Sequence, residues 1–181
     1  HTHYEHLDEH IWTSSDNAVL MLEKIRDKII EIDPKNAEIY NENCDEYIGK
    51  ICDASHEIEQ LVSKENDPFI LVADRFPFEY FTEKYGIEYE AAFDGCAIST
   101  DISLKTMSRL SEIIKKRGIK TVFCTELSSK NIAKALQEEH NVEIIELHSS
   151  HNVTAVDFEN GVTYVDIMYR NKLALEGRLS S

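Results

Sequence analysis

The run Phe69-Ile70-Leu71-Val72-Ala73 is the feature that most constrains the fold. It has strand length, follows Asp67-Pro68 directly, and offers no polar face to water, so a strand here must be covered on both sides. Later segments repeat the theme: "IEYEAAF" (87–93), "KTVFCTE" (120–126) and "VEIIEL" (142–147). Helical patterns lie between them. "FEYFTEKYG" (78–86) is closed by Gly86. Residues 103–117 turn Leu104, Met107, Leu110 and Ile114 to one side and stop at Gly118. Residues 129–139 do the same with Ile132, Ala133 and Leu136, and 155–176 read as a last helix. Strands alternating with helices through short links predict an α/β fold: a four-stranded parallel sheet flanked by helices, with right-handed crossovers.

The residues before Pro68 have a different period. Ser14-Ser15-Asp16 offers a helix start, and Ala18, Leu22, Ile25, Ile29 and Ile32 follow at helical spacing until Pro34 interrupts. Beyond it Ala37, Tyr40, Cys44, Tyr47, Ile51, Ala54, Ile58 and Leu61 trace one narrow stripe. A single helix over 35–63 would be about 40 Å long at ~1.5 Å per residue. Such a helix serves as a spine that precedes the lobe, or it pairs with a second copy. The expected divisions are 1–15, a His-rich acidic loop; 16–66, the helical spine; and 67–181, an α/β lobe.

Charge narrows the partners. Lys and Arg number 19 against 34 Asp and Glu, a net charge of −15. Nucleic acid and anionic membrane both demand a basic face, so neither is expected as a partner. The apolar runs are too short to span a bilayer. Cys44, Cys52, Cys96 and Cys124 show no C-x-x-C spacing, which disfavours a thiolate zinc site. Cys96 and Cys124 lie near neighbouring strand ends and are candidates to pair, to contact a metal, or to act as nucleophile of a thiol enzyme with His148 or His151 as base. His56 and His140 fall at helix positions and read as surface residues.

In open parallel sheets, ligands gather beyond the carboxyl ends of the strands. The residues there are Asp74-Arg75, Asp94-Gly95-Cys96, Glu126, and His148-Ser149-Ser150-His151. No Gly-rich phosphate loop accompanies them, so a nucleotide is not expected. His10, between acidic residues and just ahead of a helix start, is either a solvated polar residue or a ligand held at a helix root.

The segments "DEHIWTSSDNAVLMLEKI", "DPKNAEIYNENCDEYIGKI", "ILVADRFPFEYFTEKYGIEY" and "GVTYVDIMYRNKLAL" occur in this order along nearly the whole chain. Together they resemble the zinc- and manganese-binding solute receptors of bacterial ABC importers, the cluster A-I type. The resemblance implies two α/β lobes joined by a long helix, with one metal ion in the cleft. This chain would supply the end of the first lobe, the joining helix and the second lobe, with the first lobe missing. The implied role is not enzymatic. It is capture of Zn²⁺, with Mn²⁺ less favoured, and delivery to a membrane permease from the periplasm or a lipid-anchored position outside the cytoplasm.

The resemblance also nominates ligands. His10 matches the family's second histidine in Asp8-Glu9-His10-Ile11-Trp12. The third ligand usually stands five residues before the tyrosine that is here Tyr80, a position taken by Arg75, which cannot ligate a cation. Adjacent Asp74 could do so, or could cap the loop with Arg75. The fourth is an acid in the loop after the last strand, where two alignments place His148 or His151. Imidazole in place of the acid favours zinc over manganese. Capture through imidazole should weaken below about pH 6.

Overall fold

The computed structural model describes residues 8–94 and 103–179. A 3₁₀ turn, Ile11–Thr13, leads into α1 (Ser15–Ile32), and a second turn, Pro34–Asn36, into α2 (Ala37–Val62). The lobe follows as β1 (Phe69–Phe76), α3 (Glu79–Tyr85), β2 (Glu88–Asp94), α4 (Leu104–Arg117), β3 (Thr121–Cys124), α5 (Asn131–His140), β4 (Glu143–Glu146), α6 (Ala155–Glu159) and α7 (Tyr164–Leu175). The strands pair in parallel, as the alternation predicts, and their order is β2-β1-β3-β4.

The apolar run of β1 is shared between two cores. Ile70 and Val72 face a cluster built with Ile51, Ala54 and Ile58 of α2, Phe81 of α3, and Val165 and Met168 of α7. Phe69, Leu71 and Ala73 face the other side, against Leu110 and Ile114 of α4 and Ile132 and Leu136 of α5. Successive strand side chains point to opposite faces, so a run with no polar residue needs helices on both. Each fully buried Leu, Ile or Phe contributes about 1.5–3 kcal/mol by leaving water.

The α2 stripe is used within the chain. α1 packs along it, and its C-terminal half seats against α7. A small polar joint fixes the helix pair to the lobe: the hydroxyls of Ser15 and Ser55 lie 2.9 Å apart, and Tyr85 lies 3.0 Å from Ser55. The C-terminal half of the stripe, Ile51, Ala54 and Ile58, is therefore buried within the chain, while in the first half Cys44 is the one buried position among the described residues.

Three expectations need correction. Leu104, grouped by spacing with the core-facing positions of 103–117, is 91% exposed at the first position of α4. The last helix is not continuous over 155–176. α6 ends at Glu159, Gly161 takes a left-handed φ of 66°, and Thr163 begins α7 with a reciprocal cap to Asp166. His140 is not a surface residue: its side chain is 8% exposed and its Nε2 lies 2.9 Å from Ser111 Oγ, tying α5 to α4. His56 is exposed, as expected. Cys96 lies outside the described residues.

Candidate metal centre

The turn before α1 locks the His10 ring. One carboxylate oxygen of Asp8 accepts from the His10 amide at 2.7 Å and lies 2.6 Å from its Nδ1. A carboxylate only accepts, so Nδ1 carries the proton and the Nε2 lone pair stays available to an electrophile. Thr13 donates to the His10 carbonyl through both its amide (3.1 Å) and its hydroxyl (2.8 Å), closing the turn. Both Asp8 and His10 are buried.

The chain returns to this spot from the far end of the sheet. Past β4, the His151 ring comes to 5.5 Å from the His10 ring, and Trp12 stands 5.5 Å from His10 and 5.8 Å from His151. With Zn–N distances of about 2.0–2.1 Å and tetrahedral angles, two imidazoles on one ion have ring centres roughly 5 Å apart. The observed separation of the pair is close to that value. Ligand atoms of Asp8, Glu9 and His10 also lie within 4.8 Å of one another, which brings a further carboxylate to the same corner.

The other two sequence candidates are engaged elsewhere. His148 is 6% exposed, and its Nδ1 accepts from the Ser150 amide at 3.0 Å. In the neutral ring the proton must then sit on Nε2. Asn171 clamps the His148 backbone, accepting from its amide and donating to its carbonyl, both at 2.8 Å. Asp74 accepts from the Arg75 amide at 2.9 Å and the Thr125 hydroxyl at 2.8 Å, the loop-cap arrangement. It lines an open cleft of about 310 Å³ at the ends of β1 and β3, together with Arg75, Thr125 and Glu126.

Sequence reasoning placed Glu126 on the rim but gave it no task. Burial pushes its carboxyl up, but hydrogen bonds from the Ser149 hydroxyl and amide outweigh that and leave it below the usual carboxylate range. Cys124 is fully buried, and desolvation pushes its thiol up to about 12. A thiol in that state is a packing residue, not a nucleophile.

The chain matches the family "Zinc-uptake complex component A periplasmic" over residues 1–177. It is 25% identical over 173 residues to the high-affinity zinc uptake system protein ZnuA of Bacillus subtilis, covering 96% of this chain and 54% of that protein. To the zinc-binding protein AdcA of Streptococcus pyogenes serotype M1 it is 27% identical over 169 residues, covering 93% of this chain and 32% of the relative. The chain thus spans about half or less of the length of these curated relatives. Among solved structures, the metal-dependent lipoprotein YcdH of Bacillus subtilis shares the fold, with a TM-score of 0.84 at 24% identity over 97% of this chain and 66% of that one. The Zn(II)-bound ZnuA-like domain of Streptococcus pneumoniae AdcA superposes with a TM-score of 0.79 at 25% identity, covering 96% of this chain and 64% of that chain. With the family match running over nearly its whole length and the same fold in its structural relatives, this chain belongs to the ZnuA family of periplasmic zinc-uptake components.

Proposed function

We propose that this chain is the metal-capturing part of an extracytoplasmic solute receptor, with Zn²⁺ as its cargo and an ABC permease as the partner that receives it. His10, through Nε2, and His151 supply the nitrogen donors. The observation that carries this reading is the meeting of their rings at 5.5 Å, across a sequence separation that only the folded sheet can close. Asp8 orients the first ring, the usual role of a carboxylate behind a zinc-bound imidazole. The remaining positions of a tetrahedral ion fall to Glu9, to water or to donors outside this chain. His148 braces the loop and Asp74 caps the end of β1. In this division residues 1–15 carry the first ligand, 16–66 form the spine, and 67–181 carry the loop that closes on the ion. Two imidazoles favour zinc over manganese, which prefers oxygen donors.

The test is a zinc titration against a competing chelator. His10→Ala and His151→Ala should each weaken binding by about 100-fold. Asp8→Asn should weaken it by about 10- to 100-fold, because the ring keeps its place but loses the partner that holds its tautomer. Manganese should compete only at large excess. If both histidine variants bind zinc as the parent chain does, the assignment is wrong.

A further inference from the structure

Ser149 has every polar group committed. Its amide donates to Glu126 Oε2 at 2.8 Å and its hydroxyl to Glu126 Oε1 at 2.5 Å. The same hydroxyl oxygen accepts from the His151 amide at 3.3 Å. Its carbonyl accepts from the Trp12 indole N–H at 3.0 Å, and the Trp12 carbonyl in turn accepts from Tyr164 at 2.7 Å. From these contacts we infer that Glu126 is a positioning residue for metal capture. Acting through Ser149, it straps the loop after β4 to the turn before α1 and so holds His151 against His10 and Trp12.

Several observations carry this. Glu126 stands two residues past the end of β3, a strand with β1 and β4 on either side, in the turn that leads toward α5. Its side chain is 7% exposed and grips Ser149 with both oxygens, a two-point hold that fixes orientation as well as distance. The loop it grips is strained: Ser150 adopts a φ of 60°, a left-handed conformation that a residue with a side chain keeps only where its surroundings over-determine it. The Ser150 amide is spent on His148 and the flanking His151 amide on Ser149. Released from Glu126, the turn has reason to relax, and His151, exposed and bonded through its backbone, would leave the corner shared with His10. Glu126 itself touches neither His10 nor His151 in any hydrogen bond of the described residues, so its effect passes through Ser149. This inference builds on the zinc reading above, so the experiment separates the two.

Glu126→Gln keeps size and removes one of the two acceptors; Ser149→Ala keeps the carboxylate and removes the hydroxyl hub. Glu138→Gln, on the exposed face of α5, removes the same charge away from the strap. In metal-free protein, NMR cross-relaxation between the Trp12 indole and the His151 ring reads the strap directly, and Trp12, the only tryptophan, reports it in emission as well. Zinc titration then reads the consequence. Glu126→Gln and Ser149→Ala should lose the Trp12–His151 cross-peak and shift Trp12 emission while the far-ultraviolet dichroism is kept, and should bind zinc about tenfold more weakly or worse. Glu138→Gln should match the parent chain in all three. Cross-peaks retained in both strap variants, with zinc affinity within about twofold of the parent, overturn the proposal. A parent chain that binds no zinc overturns the metal reading instead, and the metal-free cross-peak still decides whether Glu126 positions His151.

Discussion

The helical arm and the lobe carry the same kind of sequence signal and treat it in opposite ways. In α4 and α5 most of the apolar positions at three- and four-residue spacing, Leu110, Ile114, Ile132, Ala133 and Leu136, are buried against the sheet, with Leu104 at the start of α4 the exception at 91% exposed. In α1 a similar series, Met21, Ile25, Ile29 and Ile32, is exposed, Ile32 by 85%, while Val19 and Leu22 on an adjacent face pack against the core. Over the first half of α2, Cys44 is the one buried position among the described residues. Periodicity reports that a face is apolar; what covers it is decided by what stands opposite. The lobe places a sheet there, and the described residues place nothing over the outer face of α1.

This contrast can be broken or sharpened by mutation. The largest effect belongs to the shared core: Phe123 is 1% exposed at the centre of the sheet, and Phe123→Ala should cost about 3–5 kcal/mol in chemical denaturation, with a melting temperature lower by roughly 10 °C. An intermediate effect belongs to the joint between the regions. Tyr85→Phe removes the hydroxyl that meets Ser55 and Ser15 and should cost about 1 kcal/mol, enough to loosen α1 in hydrogen exchange before the strands respond. The smallest belongs to the arm: Ile25→Lys should change stability by less than about 0.5 kcal/mol, because the side chain is already in water. If Ile25→Lys cost as much as Tyr85→Phe, the outer face of α1 would not be as open as its exposure indicates.

The site divides along a similar line. His10 could be singled out because its orienting partner is two residues away, and a local carboxylate–imidazole pair is visible as a pattern. His148 and His151 stood equal in the sequence. They differ in space because a left-handed Ser150 turns one ring inward, where a backbone amide occupies its Nδ1, and the other outward toward His10. Glu126 and Trp12 could be seen in the sequence as rim and neighbour, but their link through Ser149 crosses 23 residues on one side and 137 on the other, and no local spacing encodes it. The break at Gly161 is marked in the sequence by a lone glycine, and the apolar pattern on either side of it masks the break.

What the chain's order of residues determined alone was the element types and the parallel sheet. Those follow from period and from unbroken apolar runs, which are properties of neighbours along the backbone. Which histidine ring comes beside His10, which carboxylate bonds Ser149, and which apolar stripe stays in water were decided only by tertiary structure. Each depends on groups brought together by strand order and crossover, and a hydrogen bond or a covered face exists only where both partners have already been placed.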